Sequence, residues 1–394
     1  MKIIHTSDWH IGQNFYGYDR RGEHDHMIEQ LSSLIKKESP DLLIIAGDIY
    51  DVAVPSTTAM KDFARYMVTL RKACEDMTIV CIAGNHDSAS RHEVFQEPWE
   101  AFDVYTVGKL NLEDYASNII RIKDKGYVVA VPYTNERFLT DDFYQKMEDT
   151  AKEICTGDLP VVFVGHSSIT DCDYDGHDKS GDRYIGNIEC TDISRIGSFY
   201  DYVALGHIHK AQTLGGGRAR YSGSPVPVSF DEVKPGYEHG FTVVDIDSHG
   251  DVPMIDVVEV TQLKPLVNLP WKGVGTWSDA MEDLKSLSPD KEVYVRLNVE
   301  VQQGESLPYD REVQIANVMK DKKGHYCVIN VTRKSAETTG RSTVISMDRE
   351  ELQQADPLNL IRMYFASAGK EFTPEFEEMF NEAYEVVKKQ NDEN

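Results

Sequence analysis

An aspartate and a histidine lie two residues apart near the start of the chain, directly after a short apolar run. Asp8 and His10 follow residues 1–6, whose apolar side chains indicate a buried strand. In an extended backbone, side chains two positions apart point to the same side. A carboxylate and an imidazole presented together can bind one metal ion, so we interpret the pair as candidate metal ligands.

Four later apolar runs also end in side chains that can bind metals. These are Asp48 after residues 42–46, Asn85 and His86 after 78–83, His166 after 160–164, and His207 and His209 after 202–205. A glycine precedes Asp48, Asn85, His166 and His207, and we expect it to let the backbone turn sharply. Without His86, the donors are four imidazoles, two carboxylates and one amide, a set that suits Mn, Fe or Zn better than Ca or Mg.

This set of donors is too large for one ion, so the sequence predicts two. Asp48 is the natural bridge, because a carboxylate can offer one oxygen to each cation. Two ions about 3.5–4 Å apart can hold phosphate oxygens and generate hydroxide near neutral pH, which predicts hydrolysis of phosphate esters. The weakest assignment is His166, whose motif is only Gly-His, and His177 is an alternative.

Strands and helices alternate along the first two-thirds of the chain. The predicted strands are 42–46, 78–83, 127–131, 160–164, 202–205 and 241–246, and the predicted helices are 23–37, 56–74 and 141–155. Each strand is uniformly apolar, which indicates an α/β fold whose sheet is covered on both faces. Ligands in such folds gather at the carboxyl ends of the strands, where the candidate residues lie.

Two further segments follow. Residues 262–337 alternate between helical and strand patterns and predict a small α/β domain, after a first domain at 1–261. Residues 338–394 predict a linker and two short amphipathic helices with large apolar faces. Those faces could bind a partner or fold back on the small domain.

Composition restricts the function classes. The 394 residues carry a net charge of −25, which argues against a large sequence-independent grip on DNA by this chain alone. No stretch is long and apolar enough to span a bilayer, and the first residues do not resemble a signal peptide. The six cysteines form no C-x-x-C pair, so we expect core thiols and a cytoplasmic protein.

Five motifs, in this order, resemble the calcineurin-like metallophosphoesterase superfamily. They are D-x-H at 8–10, G-D-x-x-D at 47–51, G-N-H-D at 84–87, G-H at 165–166 and G-H-x-H at 206–209. More narrowly, residues 5–16, 202–211 and 221–232 resemble the nuclease-subunit family of bacterial SbcCD complexes. The resemblance implies a β-sandwich flanked by helices, a small α/β capping domain and a C-terminal helical segment.

The resemblance also implies roles for the candidate residues. One ion would take Asp8, His10, Asp48 and His209, and the other would take Asp48, Asn85, His166 and His207, with Mn²⁺ as the expected metal. His86 would protonate the leaving 3′ oxygen or steer the scissile phosphate, since the pKa of histidine lies near working pH. The alternative for His86 is a supporting hydrogen bond to Asp48 or Asp51, and the role of Asp51 stays open.

The implied activity is that of a manganese-dependent DNA nuclease subunit, a double-strand 3′–5′ exonuclease and single-strand or hairpin endonuclease in DNA repair. Residues 338–394 would bind an SbcC-type ATPase in a heterotetramer, and the nuclease domain would form a homodimer. Arg20 and Arg21 are candidate DNA contacts, as are basic residues of the small domain, which could equally be solvated surface. The alternatives are a stand-alone metallophosphatase or cyclic-nucleotide phosphodiesterase, and a non-catalytic scaffold.

Overall fold

The computed structural model describes residues 1–94, 96–170, 172–174, 191–302 and 304–333, with single residues at 358, 373, 376 and 380. The strands in this part of the chain are β1 (Lys2–Thr6), β2 (Asn14–Phe15), β3 (Tyr18–Asp19), β4 (Leu42–Ala46), β5 (Thr78–Ile82), β6 (Val104–Val107), β7 (Ile119–Ile122), β8 (Gly126–Val131), β9 (Val161–His166), β10 (Tyr202–Gly206), β11 (Gln212–Leu214), β12 (Ala219–Tyr221), β13 (Gly240–Asp245), β14 (Met254–Glu259), β15 (Leu266–Leu269), β16 (Tyr294–Val301) and β17 (His325–Arg333). The α-helices described are α1 (Arg21–Glu38), α2 (Thr57–Ala73), α3 (Ala89–Glu93), α4 (Gln96–Glu100), α5 (Phe143–Ile154), α6 (Trp277–Ser286) and α7 (Arg311–Met319).

Two six-stranded sheets form the larger part of the fold. The first sheet has the order β14-β13-β1-β4-β5-β6, and the second has the order β11-β12-β10-β9-β8-β7. The central strands are parallel in both sheets, because β1 pairs with β4 and β4 with β5, while β8 pairs with β9 and β9 with β10. Their carboxyl ends therefore lie at one edge of each sheet.

The uniformly apolar strands are explained by burial on both faces. In β4, Leu42 and Ile44 face the second sheet in a core that also contains Val162 and Val164. The alternate residues of β4 pack under α1 and α2, beside Met27 and Leu70 among others. A third core lies under α5, on the outer face of the second sheet. The sequence prediction of covered sheets is confirmed as a four-layer arrangement of helix, sheet, sheet and helix.

The start of α2 and the end of α1 show the expected capping chemistry. Ser56 begins α2, where its side chain accepts a hydrogen bond from the backbone N–H of Ala59 at 3.1 Å. Ser39 ends α1 in a left-handed conformation (φ 47°), and its N–H donates to the carbonyl of Ile35. Pro40 then prevents the helix from continuing.

A small α/β unit with its own apolar core follows the sandwich. Its three strands have the order β15-β16-β17, with β15 parallel to β16, and α6 and α7 complete the core. A second apolar cluster joins this unit to the larger part of the fold through Phe15, Phe230, Leu266 and Tyr294. The boundaries predicted at 261/262 and 337/338 remain predictions.

Residues 1–301 and 306–332 form one compact unit, which contains both six-stranded sheets. The predicted C-terminal helices at 338–394 lie outside the described residues, apart from the four single positions. None of the helices in the described ranges has the length and apolar character needed to cross a membrane. The described cysteines, at 74, 81, 155, 172 and 327, are free thiols.

Candidate metal centre

The loop after β1 lies against the loop after β4. The N–H of Asp8 donates to the carbonyl of Gly47 at 3.0 Å, and the N–H of His10 donates to the carbonyl of Asp48, also at 3.0 Å. Asp8 and His10 are not extended, because their φ angles are 54° and 48°. The sequence analysis assumed an extended backbone, and this assumption is wrong. A left-handed turn that follows the neighbouring loop directs both side chains.

Asp8, His10 and His209 form the first of two candidate ligand groups. All three are buried, and one ligand atom of each lies within 4.8 Å of the others. The Nε2 atoms of His10 and His209 are 3.3 Å apart. Two imidazoles thus direct a nitrogen to one point beside a carboxylate.

Asp48, His166 and His207 form the second group, with the same spacing of ligand atoms and the same burial. The amide oxygen of Asn85 joins it, at 3.0 Å from Nε2 of His166 and 2.9 Å from Nδ1 of His207. His177, the alternative to His166, lies outside the described residues.

Asp48 lies between the two groups. Its Oδ2 atom is 3.4 Å from Nε2 of His166 and 3.9 Å from Nε2 of His10. Its Oδ1 atom accepts a hydrogen bond from the backbone N–H of His86 at 2.9 Å. This carboxylate is the side chain best placed to contribute to two cations at once.

The glycines before the ligands serve close approach more than turning. A Cβ on Gly84 would lie 2.1 Å from Oδ1 of Asp48, and a Cβ on Gly206 would lie 1.9 Å from the carbonyl oxygen of Ala46. Of the four predicted turn glycines, Gly47 has a positive φ, at 90°. Otherwise the left-handed backbone is carried by ligands themselves: Asp8, His10, Asp48 and His207. Such conformations cost free energy and are typical of functional sites.

Hydrogen bonds on the far side of the ring orient His166 and His209. Nδ1 of His166 lies 2.8 Å from the carbonyl oxygen of Ala46, and Nδ1 of His209 lies 3.0 Å from Oε1 of Glu232. Partners of this kind fix the tautomer that leaves Nε2 as the metal-binding atom. Glu232 was not predicted as a site residue, although it ends one of the stretches that carry the family resemblance.

Asp87 joins two of the ligand loops and was also missed as a site residue. Its carboxylate accepts hydrogen bonds from the backbone N–H groups of Gly84, Ile49 and Tyr50 at 2.9, 3.1 and 2.9 Å. It therefore fixes the loop of Asn85 to the loop of Asp48. Asp87 is the last residue of the G-N-H-D motif, and this position could have marked it as a site residue. The sequence analysis interpreted only Asn85 and His86 of this motif.

The charge distribution suits cations. Burial alone would lower the pKa of His10, but the carboxylates of Asp51, Asp48 and Asp8 outweigh burial and raise it to about 9. Burial would also lower the pKa of His166, but the carboxylates of Asp48 and Asp8 outweigh it and raise this pKa to about 9. The site thus binds positive charge strongly, and metal ions would take the place of these protons. Together with the mixed oxygen and nitrogen donors, this fits two divalent metals.

His86 lies half-buried at the edge of the centre. Its ring meets the His10 ring edge to face, with 4.9 Å between centroids. Its Nδ1 lies 2.9 Å from the carbonyl oxygen of Asp51, so Nδ1 donates and Nε2 is the atom that can exchange a proton. The carboxylate of Asp51 lies elsewhere, with Oδ1 3.5 Å from Nδ1 of His10.

The predicted DNA contacts near the first loop have different surroundings. Arg20 is 1% exposed, and it donates to the carbonyl of Pro227 at 3.0 Å and lies 3.3 Å from Oε1 of Glu23. This buried position leaves it no surface for a phosphate contact. Arg21 is about half exposed and forms an ion pair with Asp62 at 2.6 Å.

Several basic residues of the small unit also have partners close by. Arg311 lies 3.7 Å from Glu312, and Lys323 lies 3.6 Å from Asp290. Lys322 donates to the carbonyl of Lys285 at 3.0 Å. These contacts account for part of the basic surface without a ligand, and Lys334 lies outside the described residues.

A comparison with known protein families finds a match over the part of the chain that contains these motifs. The calcineurin-like phosphoesterase family matches residues 1–211, which is more than half of the chain. This range contains every candidate ligand from Asp8 to His209.

The chain also resembles proteins named as the SbcD component of the SbcCD nuclease. It is 29% identical to that of Escherichia coli (strain K12) over 326 residues, which is 76% of this chain and 78% of the relative. It is 28% identical to that of Rhodobacter capsulatus (74% and 77% covered) and 27% identical to that of Bacillus subtilis (76% and 79% covered). The similarity therefore extends beyond the sandwich into the small α/β unit.

Proposed function

Because the chain belongs to the calcineurin-like phosphoesterase family, we propose that it is the DNA nuclease subunit of an SbcCD-type complex. Family membership confirms the predicted fold class and the prediction of a metal-dependent hydrolase that acts on phosphate esters. The specific proposal is a manganese-dependent 3′–5′ exonuclease on double strands and endonuclease on single strands and hairpins, in a cytoplasmic repair complex.

One observation carries the proposal. Two groups of buried ligands face each other across Asp48, whose Oδ2 lies 3.4 Å from His166 and 3.9 Å from His10. A carboxylate in this position could contribute to both ions. The names of the similar proteins support nuclease activity, and the proposal adds DNA as the nucleic acid.

The residues have distinct tasks in the proposed reaction. Two bound divalent ions would neutralise the phosphate and lower the pKa of nearby water. Asp8, His10, Asp48 and His209 would hold one ion, and Asp48, Asn85, His166 and His207 would hold the other. Water that has released a proton to solvent would attack phosphorus in line with the scissile P–O bond, and the leaving 3′ oxygen would take a proton from Nε2 of His86.

The hydrogen bond from Nδ1 to the Asp51 carbonyl keeps His86 in the orientation that this step requires. The backbone N–H of the same residue donates to Asp48 at 2.9 Å, so the acid and the bridging carboxylate are positioned together. Fixing both in advance reduces the entropic cost of reaching the transition state.

The test compares DNA with a small ester. The purified chain is given Mn²⁺ with a labelled double-stranded oligonucleotide, or with bis-p-nitrophenyl phosphate, and Asp48→Ala is the control. We expect degradation of the oligonucleotide that the control lacks. Cleavage of the small ester alone indicates either a small-molecule phosphodiesterase or a nuclease that requires its ATPase partner. Adding an SbcC-type ATPase separates these cases, because a small-molecule enzyme would stay inactive on DNA.

We also propose that residues 338–394 bind the SbcC-type ATPase and that the assembly is a heterotetramer built on a nuclease homodimer. The large apolar faces predicted for the C-terminal helices support this, since an apolar helix face commonly binds in a groove of a partner. Deleting the residues after 341 should abolish co-purification with the ATPase and preserve Mn²⁺-dependent cleavage. Retained co-purification would contradict this role.

A further inference from the structure

The segment 224–232, between β12 and β13, touches both the metal centre and the small α/β unit. It ends in a short 3₁₀ turn, Phe230–Glu232. Glu232 is fully buried, whereas its neighbour Asp231 is exposed. Two consecutive acids therefore face opposite surroundings, one directed to a candidate metal ligand and the other to the small unit.

On the side of the metal centre, the carboxylate of Glu232 has three hydrogen-bond donors. Oε1 lies 3.0 Å from Nδ1 of His209, and Oε2 accepts from Oγ of Ser224 at 3.0 Å and from the N–H of Val228 at 3.1 Å. The segment itself thus holds Oε2, which leaves Oε1 directed to His209. The position of the carboxylate follows the conformation of residues 224–232, and the His209 ring follows the carboxylate.

On the side of the small unit, two residues hold the 3₁₀ turn. The carbonyl oxygen of Phe230 accepts from Nδ2 of Asn268 in β15 at 3.0 Å and from Nη2 of Arg296 in β16 at 3.4 Å. Arg296 also pairs with Asp231 at 2.8 Å, and its guanidinium lies over the Phe230 ring at 5.3 Å. The residue next to Glu232 is therefore held by the small unit.

A second set of buried contacts holds the middle of the segment. Arg20 donates to the carbonyl of Pro227 at 3.0 Å, and its guanidinium lies 4.9 Å from the centre of the Phe15 ring and 5.3 Å from that of the Tyr294 ring. The hydroxyl of Tyr294, in β16, donates to Glu23 at 2.7 Å, and Glu23 lies 3.3 Å from Arg20. Contacts with the small unit thus reach the segment at two separate places.

We propose that the segment 224–232 couples the small α/β unit to the metal centre, with Glu232 as the positioning residue that sets the orientation of His209. The inference rests on the proposed function in one respect, namely that His209 is a metal ligand. The new element is that the metal affinity of the site containing His209 depends on contacts made by Asn268 and Arg296, which lie outside the sandwich.

The physical basis is the narrow tolerance of metal ligation. Metal–nitrogen bonds are short and directional, so a small rotation of the His209 ring changes affinity more than it changes stability. Loss of the hydrogen-bond partner of a ligating histidine typically weakens metal binding about 10- to 100-fold. Because Asp231 and Glu232 are adjacent in the chain, a displacement of the 3₁₀ turn moves the carboxylate with it.

The first test uses Glu232→Gln. The amide has the same shape but offers one acceptor oxygen to three donors, so either His209 or the segment loses its bond. Mn²⁺ alone is titrated into the metal-stripped, full-length chain by calorimetry. We expect one of the two Mn²⁺ sites to weaken about 10- to 100-fold while the other keeps its affinity. The matched control is Glu238→Gln, an exposed residue of the same loop, which should bind like the wild type.

The second test is Arg296→Ala, which removes the hydrogen bond to Phe230 and the ion pair with Asp231 without changing a residue of the metal centre. We expect the same Mn²⁺ site to weaken several-fold. Electron paramagnetic resonance of the chain loaded with two Mn²⁺ should show a weaker interaction between the ions. A merely structural role would lower the melting temperature of the metal-free chain and leave both readouts unchanged.

The Mn²⁺ affinities of the two variants test the positioning role and the coupling separately. Wild-type affinity at both sites in Glu232→Gln overturns the positioning role, and wild-type affinity in Arg296→Ala overturns the coupling. A wild-type chain that binds two Mn²⁺ ions without cleaving DNA, alone or with an ATPase, would contradict the proposed function. The Mn²⁺ affinities of the variants could still be compared with that of the wild type. A wild-type chain that binds no Mn²⁺ would overturn both.

Discussion

Nδ1 of His86 lies 2.9 Å from the backbone carbonyl oxygen of Asp51, while the Asp51 carboxylate lies 3.5 Å from Nδ1 of His10. One residue thus serves two histidines, with its backbone orienting the proposed acid and its side chain supporting a candidate ligand. The G-D-x-x-D motif left the role of Asp51 open, and these two contacts give it two candidate roles. The two roles can be tested separately.

We expect His86→Gln to abolish DNA cleavage without changing metal content. Removing a general acid typically costs a factor of about 10²–10⁴ in rate, and glutamine can still donate to the Asp51 carbonyl. The measurements are single-turnover cleavage at saturating Mn²⁺ and calorimetric Mn²⁺ stoichiometry. Loss of bound Mn²⁺ in this variant would show that His86 is a ligand instead.

We expect Asp51→Asn to act on metal affinity rather than on proton transfer. The substitution keeps the carbonyl that holds His86 but removes the negative charge beside His10, so Mn²⁺ should bind up to about 10-fold more weakly. Cleavage should recover to within a few-fold of the wild type when Mn²⁺ is raised. A rate that stays low at saturating Mn²⁺ would assign the Asp51 carboxylate a direct role in catalysis.

We expect Asp87→Asn to destabilise the fold and loosen both ligand loops. The amide keeps one acceptor oxygen for the backbone N–H groups of Gly84, Ile49 and Tyr50, so at least one buried donor loses its partner. The expected loss is about 2–3 kcal/mol in the free energy of unfolding of the metal-free chain, measured in urea. Asp124→Asn at an exposed position is the control and should change it by less than about 0.5 kcal/mol.

We expect Gly84→Ala to displace Asp48 and to weaken Mn²⁺ binding at both sites. The new methyl group would lie 2.1 Å from Oδ1 of Asp48, and this carboxylate lies between the two ligand groups. The same substitution at Gly22, in α1, meets its nearest neighbour at 3.6 Å and should stabilise the chain by about 0.5–1 kcal/mol. Equal Mn²⁺ binding by the two variants would contradict the close-approach explanation.

We expect the stability of the protein to fall as pH falls below 6.5, with His5 contributing. Burial and the nearby charge of Arg220 lower the pKa of His5 from 6.5 to about 3, so the unfolded chain binds more protons in this range. The contribution to stability is complete above pH 6.5 and is lost on acidification by about 1.4 kcal/mol per pH unit.

His5→Leu provides the measurement, because it removes the titrating group and its contribution to the slope. Its unfolding free energy should change by about 2 kcal/mol less than that of the wild type between pH 6.5 and 4.5. The slope is compared rather than the absolute stability, since the hydroxyl of Tyr202 loses its partner at Nδ1 of His5. Parallel pH profiles would show that folding does not lower the pKa of His5.

Much of the fold could be predicted from periodicity. The strand 42–46 was predicted with its observed bounds, and the helices at 56–74 and 141–155 differ from α2 and α5 by one or two residues at each end. The edge strands β6, β7 and β14 were missed. Their exposed or mixed faces lack the continuous apolar pattern that burial imposes on central strands such as β4. The pairing of the strands into two sheets could not be predicted, because it depends on contacts distant in sequence.

The candidate site was predictable where a ligand directly ends an apolar strand. Glu232 and Asp87 were missed as site residues because they act through other residues, and no spacing rule marks a carboxylate that accepts from a neighbouring loop. Arg20 shows the opposite limitation. Its charge and proximity to the first loop favoured an exposed position, but Arg20 is buried against the rings of Phe15 and Tyr294, which come from segments far apart in the chain.

Each ligand group draws on both sheets of the sandwich. Asp8 and His10 follow β1 and Asp48 follows β4 in the first sheet, while His166 ends β9 and His209 follows β10 in the second. A metal ion held by either group would therefore cross-link the two layers. An isolated half of the sandwich has an incomplete set of ligands for both ions. A nascent or partly folded chain would thus lack a complete centre, since the ligands meet only when the two layers close on each other.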